Sequence, residues 1–117
     1  MAEEILEFIV MVDGGGTESE VLRAITERVP DATGVREDAC QIRGNQAEVW
    51  RNEDADPSLA GDDEEGYLYY PWRVEVTPES DDVDEDAQVA LAGELLGAFR
   101  APSWRAVLAA TFEDRVE

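Results

Sequence analysis

Carboxylates dominate the side chains of this chain that could carry chemistry. The 117 residues include 29 Asp and Glu, no His and a single cysteine, Cys40, while all nine basic residues are Arg. The usual general bases and covalent nucleophiles are therefore missing. A pair of carboxylates can still perform acid–base chemistry, but it does so in a cleft whose apolar walls tune both pKa values. Because the acids here cluster in polar segments, we expect a protein that is not an enzyme and has no catalytic residues.

Two short segments hold many of these acids. Residues 53–65 contain seven and residues 79–86 contain six more, with no basic residue in either segment. Carboxylate oxygens bind Ca²⁺, but neither segment has the EF-hand spacing, since Leu59 follows Asp54 by five residues where that loop requires Gly. One cysteine without His cannot complete a zinc site, an internal disulfide or a redox pair. We expect no dedicated metal site and no cofactor, and at most weak cation binding by the acidic segments.

A glycine-rich motif follows the first apolar segment of the chain. Asp13-Gly14-Gly15-Gly16-Thr17 resembles the phosphate loop of the sugar-kinase and actin-like ATPase superfamily. That superfamily continues from the loop into another strand and builds two large lobes, whereas a helix start follows at once here. Asp13, Glu18 and Glu20 would also repel a phosphate at this helix start. We therefore interpret the motif as a strand-to-helix turn.

The net charge limits which partners the protein can have. At −20, the surface repels nucleic acid and anionic membranes, so we expect neither as a partner, whereas a basic protein would be attracted. A high-salt cytoplasm, or solubility alone, also selects acidic surfaces without any partner. Both explanations of the charge remain open at this level.

The first residues of the chain indicate where the protein is located. Met1-Ala2-Glu3-Glu4 is acidic where a signal peptide is basic, and the longest apolar run, residues 8–12, is too short to span a bilayer. We therefore expect a cytoplasmic protein.

The first half of the chain predicts a strand, a helix and a hairpin. The apolar, β-branched run at residues 5–12 predicts a central strand, and the capping box of Thr17 and Glu20 predicts a helix that Pro30 ends. Residues 38–43 and 46–51 predict a hairpin with a two-residue Gly44-Asn45 loop. This register makes three pairs on the buried side of the ribbon: Ile42–Ala47, Cys40–Val49 and Asp38–Arg51. Trp50 is then predicted to point outward.

The second half predicts a loop, two strands and a helix. Residues 52–66 form an acidic loop, residues 67–77 a strand, residues 79–100 an acid-capped helix and residues 104–113 the last strand. On the strand at 67–77, five residues are predicted to share the inner face: Leu68, Tyr70, Trp72, Val74 and Val76.

The order β-α-β-β-β-α-β predicts one α+β domain over residues 1–117. It resembles a ferredoxin-like sandwich with one added strand, in which two helices cover one face of a mostly antiparallel sheet. The other face of the sheet is then left open.

Aromatic residues predicted on the open face are the strongest sign of a site. Trp50, Tyr67 and Tyr69 share this face with Arg73, and large aromatics with an arginine are typical of hot spots in protein interfaces. Carboxylates of the acidic loop complete the predicted partner-binding set: Asp54, Asp56, Asp62, Asp63, Glu64 and Glu65. We expect a non-catalytic binding protein that occupies a basic protein partner, for example an immunity or antitoxin-type inhibitor of a cationic toxin.

Three alternatives remain open. The same face could pair with a second copy, which would make the chain a homo-oligomeric ligand-binding or regulatory domain. The acidic loop could simply cover the aromatic residues. The acidity could also serve only as adaptation to salt.

Overall fold

A six-stranded antiparallel sheet with two helices forms the structure, a computed structural model that describes residues 6–61 and 66–116. The strands are β1 (Phe8–Asp13), β2 (Thr33–Arg36), β3 (Ala39–Ile42), β4 (Asn45–Arg51), β5 (Trp72–Pro78) and β6 (Arg105–Ala109). The helices are α1 (Glu18–Arg28) and α2 (Glu85–Arg100), with short 3₁₀ helices at Gly66–Tyr69 and Glu113–Arg115. The predicted α+β class is confirmed.

The strand order, β2-β3-β4-β5-β1-β6, is not ferredoxin-like, so that part of the prediction is wrong. A ferredoxin-like sheet interleaves two βαβ units, whereas β2 to β5 follow one another here as a meander. β1 then lies between β5 and β6 and pairs antiparallel with both. The predicted element order also has one strand too few, because it lacks β2, the edge strand that pairs with β3.

Both helices begin where the sequence predicts a cap. The Thr17 side chain accepts a hydrogen bond from the Glu20 amide at 3.2 Å, and the Glu20 carboxylate accepts one from the Gly16 amide at 3.2 Å. Asp84 caps α2 by accepting a hydrogen bond from the Ala87 amide at 2.8 Å. These bonds satisfy amide groups that the first turn of a helix leaves free.

The main core lies between the helices and one face of the sheet. Both helices contribute apolar residues to it, including Ile25 of α1 and Leu95 of α2. The predicted last strand is too long at its C-terminal end, since β6 stops at Ala109. Phe112 follows in a turn and still reaches this core, where its ring meets that of Phe8 edge-on at 5.7 Å.

The predicted hairpin register is wrong by two residues. Ile42 pairs with Asn45 and Cys40 with Ala47, so that Arg43 and Gly44 form the turn. Both turn residues have positive φ, 47° and 80°, as a type I′ turn requires. A shift of two residues keeps every side chain on its predicted face, and Cys40 and Ile42 are buried as expected.

The predicted strand at 67–77 begins too early. A 3₁₀ helix occupies Gly66–Tyr69, and β5 starts only at Trp72. This turn breaks the two-residue alternation, so the predicted inner face holds for the residues of β5 and fails before it. Leu68 is exposed, and Tyr70 is buried on the opposite side of the sheet.

Candidate functional site

The sheet face opposite the helices carries the residues that could bind a partner. Strand pairing brings its side chains into rows across neighbouring strands. One row runs Trp50, Arg73, Met11 and Val107, and the next runs Glu48, Glu75, Ile9 and Ala109. We refer to this surface as the open face.

The acidic loop covers part of the open face. Ala60 of the loop and Tyr70, just beyond it, pack on Met11 of β1, and all three are buried. Tyr67 and Tyr69 are half-buried against the same small cluster. Tyr67 and Tyr69 thus pack against the cluster that contains Ala60 of the loop, and only part of each side chain is exposed.

Hydrogen bonds to the backbone carbonyls of residues 68–70 fix the position of the acidic loop. The Asn52 amide side chain donates to the carbonyls of Leu68 and Tyr70, each at 2.8 Å. The Asp56 amide donates to the carbonyl of Tyr69 at 3.0 Å. The two ends of the segment are thus tied together beside the sheet.

Arg105 of β6 holds the loop down on the sheet. Its guanidinium lies over the Tyr70 ring at 4.9 Å from the centroid and donates to the Ala60 carbonyl at 3.3 Å. The same group pairs with Asp13 on β1, and this pairing raises the pKa of Arg105. Sequence reasoning missed this residue, because a lone arginine at the start of a strand carries no pattern that separates it from other surface charges.

The two described acids of the predicted site differ in role. The Asp56 carboxylate accepts hydrogen bonds from the Ser58 hydroxyl at 2.6 Å and the Ser58 amide at 2.9 Å, and these bonds lower its pKa. Asp56 therefore shapes the turn that supports the loop. Asp54 is exposed at the loop surface. The other four predicted acids, Asp62, Asp63, Glu64 and Glu65, lie outside the described residues.

Trp50 and Arg73 meet on the uncovered part of the open face. They are paired positions on β4 and β5, and Trp50 keeps 49% of its surface exposed. Its predicted outward orientation is confirmed. Of the predicted partner-binding residues that the structure describes, these two share a free surface, and the tyrosines and Asp56 do not.

Two glutamates occupy the row of the open face next to Trp50. Glu48 and Glu75 lie directly opposite one another on β4 and β5, where two like charges repel. Each pairs with one arginine: Glu48 with Arg36 at 3.4 Å, and Glu75 with Arg73. Arg36 was missed because β2 has four exposed residues and no apolar alternation.

The glycine motif is a packed turn, as predicted. A Cβ atom on Gly14 would lie 2.0 Å from the Trp104 ring, so only glycine at this position leaves room for the ring. The carboxylate of the motif, Asp13, is paired with Arg105. These contacts account for the motif without a phosphate.

The described residues offer little for covalent or metal chemistry. Burial raises the pKa of the Cys40 thiol to about 11, so at neutral pH it is protonated and unreactive. Within residues 6–61 and 66–116, no three Asp, Glu or Cys side chains come together as a metal site.

Neither α-helix in the described part of the chain is long and apolar enough to cross a membrane. The chain matches no protein-family model, no curated protein and no solved structure. A function for the candidate site is therefore inferred from its own geometry alone.

Proposed function

We propose that this protein is a non-catalytic binding protein that occupies a basic protein partner with the uncovered part of its open face. The observation that carries the proposal is the half-exposed Trp50 beside Arg73, in a surface otherwise rich in carboxylates. Trp and Arg are the residue types most enriched among the side chains that dominate binding energy.

The sheet makes Trp50 a suitable anchor. The residue lies on β4 opposite Arg73 of β5, and the antiparallel pairing of these two strands holds its backbone in place before binding. A rigid aromatic side chain loses little conformational entropy when a partner covers it. Burying its exposed half would contribute apolar area at the centre of an interface.

The surrounding charge favours a basic partner. Glu48 and Glu75 lie opposite each other and have one arginine partner each, and a cationic partner would add a further ion pair to these adjacent carboxylates. The net charge of −20 would also attract such a partner over a distance and speed the encounter. An immunity protein that blocks a cationic toxin, such as a nuclease, in the cytoplasm is one concrete form of this function.

The homodimer explanation has an electrostatic cost. Two copies would each bring a net charge of −20, and the glutamates of both open faces would come together. Dimerisation through Trp50 would therefore require high salt. Pure salt adaptation explains the acids but leaves the exposed tryptophan without a role.

Site-specific photo-crosslinking tests the proposal. A photoreactive phenylalanine analogue at position 77, an exposed position of β5 on the open face, leaves Trp50 intact and should cross-link a basic protein in native lysate, and the same analogue at exposed position 90 of α2 should not. Position 90 is a suitable control because α2 packs on the other face of the sheet. Cross-linking only to the protein's own copies would support the homodimer instead. Equal labelling from both positions would remove the open face from consideration.

A further inference from the structure

A groove lies on the open face beside the Trp50–Arg73 pair. Its volume is about 370 Å³, and the residues that line it include Glu7, Ile9, Arg73, Glu75 and Ala109. This volume is within the range of pockets that hold small ligands, about 300–1,000 Å³.

None of the described residues of the acidic loop lines the groove. Ala60 and Tyr70 bury Met11, whereas Ile9 in the next row of the open face packs against this cluster and stays partly exposed. On β6 this row ends in Ala109, whose short side chain leaves a hollow beside the longer Glu75. The hollow is continuous with the surface that bears Arg73, and so with the proposed interface.

The residues that line the groove suit one long cationic side chain. Ile9 and Ala109 offer apolar surface to the methylene stem of an arginine, and the carboxylates of Glu7 and Glu75 can accept hydrogen bonds from its charged end. Glu75 already pairs with Arg73, whereas none of the nine arginines, all of which the structure describes, pairs with Glu7. Glu7 is exposed and free to accept a guanidinium.

We propose that this groove binds an arginine side chain of the basic partner, with its stem on Ile9 and Ala109 and its guanidinium at Glu7 and Glu75. The inference rests on the proposed function, since it names a contact of the same partner. Arginine suits the site better than lysine because its planar guanidinium can donate hydrogen bonds to two carboxylates at once. A second copy of this chain would bring further acids to the groove and is disfavoured.

The test is a titration of the full chain that is monitored by NMR. N-acetyl-arginine methylamide should shift the methyl signals of Ile9 and Ala109, and the citrulline analogue, which has the same shape without charge, should not. Ala109→Leu fills the groove from an exposed position and should abolish these shifts. The control Ala90→Leu adds the same side chain to the exposed face of α2 and should leave them unchanged. Preserved signal dispersion in both variants shows that the fold is intact.

A charge variant completes the experiment. Glu7→Gln should weaken binding of the arginine probe about threefold to fivefold, the size of effect expected for an exposed ion pair. Equal methyl shifts from the arginine and citrulline probes, or backbone amide shifts centred on Glu53 and Asp54 with none at Ile9, would overturn the inference. A partner that loses affinity for Trp50→Ala but still binds Ala109→Leu would contradict the arginine contact and support the proposed function. The two proposals can therefore fail separately.

Discussion

Asn45 and Gln88 exchange two hydrogen bonds inside the protein although 43 residues separate them in the chain. The two N–O distances are 3.0 and 2.9 Å, and each residue is 1% exposed. Gln88 also donates to the Leu6 carbonyl at 2.9 Å, and Asn45 donates to the Ile42 carbonyl at 3.2 Å. One buried amide pair thus connects the β3–β4 turn, α2 and the segment before β1.

We predict that Asn45→Ala lowers the free energy of unfolding by about 2 kcal/mol, because it leaves the buried Gln88 side chain without two of its bonds. Urea unfolding of Asn45→Ala, Gln88→Ala and the double variant measures the coupling. The double variant should cost less than the sum of the two single ones. Strict additivity would show that the two amides do not depend on each other.

This pair also explains why the hairpin register could not be predicted. The alternation of apolar residues correctly placed Cys40 and Ile42 on the buried side, because alternation is local. With Arg43-Gly44 as the turn, Asn45 belongs to β4 and its buried side chain bonds to Gln88, a partner far along the chain that local alternation does not reveal. β2 was missed for a related reason: all four of its residues are exposed, so no pattern of burial marks it.

The candidate site was predictable only in part. Trp50 and Arg73 were expected on one face, because each lies within a regular strand. The roles of Tyr67, Tyr69 and Tyr70 were not predictable, since the 3₁₀ helix at Gly66–Tyr69 interrupts the alternation on which the prediction depended. Arg105, which holds the loop on the sheet, belongs to a different strand and is brought there only by the tertiary fold.

Gly14→Ala should destabilise the protein by about 1–3 kcal/mol, because the added methyl group would overlap the Trp104 ring. The matched control is Gly97→Ala in α2, where a Cβ atom meets nothing within 4 Å. That change should stabilise the helix by about 0.5–1 kcal/mol. Thermal unfolding of both variants measures the difference, and equal stability of the two would contradict the packing of Trp104 on the turn.

The Arg43–Glu94 pair should appear in the acid dependence of stability. The hydrogen bond from Arg43 lowers the pKa of Glu94 below its ordinary value of 4.5. A carboxyl group with a lowered pKa stabilises the fold above its unfolded-state pKa, and that contribution is lost as the pH falls through the folded-state pKa. Glu94→Gln should therefore lower Tm at pH 7, and wild type and variant should converge as the pH falls through the folded-state pKa of Glu94.

The control for this effect is Glu113→Gln, which removes an exposed carboxylate that pairs with no arginine of the chain. At pH 7 it should leave Tm unchanged or raise it, because it removes one repelling charge. A Glu94→Gln curve parallel to that of wild type from pH 7 to pH 3 would count against the Arg43 pair.

Added salt should stabilise the fold at neutral pH. With a net charge of −20, repulsion among exposed carboxylates opposes the compact state, and salt shortens the range of that repulsion from about 10 Å at 0.1 M to about 3 Å at 1 M. Tm should rise between these two NaCl concentrations, and sodium sulfate is avoided because it also strengthens apolar burial. An unchanged Tm would mean that charge repulsion has little influence on stability.

The two acidic segments provide a matched comparison for the proposed function. Glu53 and Asp54 lie beyond the C-terminal end of β4, whereas Asp81 and Asp82 follow β5 near the β3–β4 turn, at the opposite end of these strands. All four side chains are exposed, so each pair can be neutralised without changing the core. Both double variants carry the same net charge, which separates local steering from overall attraction.

Surface plasmon resonance with the captured partner tests the central claim most directly. Trp50→Ala should cost about 2 kcal/mol, mostly as faster dissociation, while Val35→Ala, at an exposed position on the edge strand β2, should have little effect. Glu53→Gln with Asp54→Asn should slow association severalfold and flatten its salt dependence, and Asp81→Asn with Asp82→Asn should do so much less. Unchanged dissociation of Trp50→Ala, together with equal effects of the two acid pairs, would contradict a binding site on the open face.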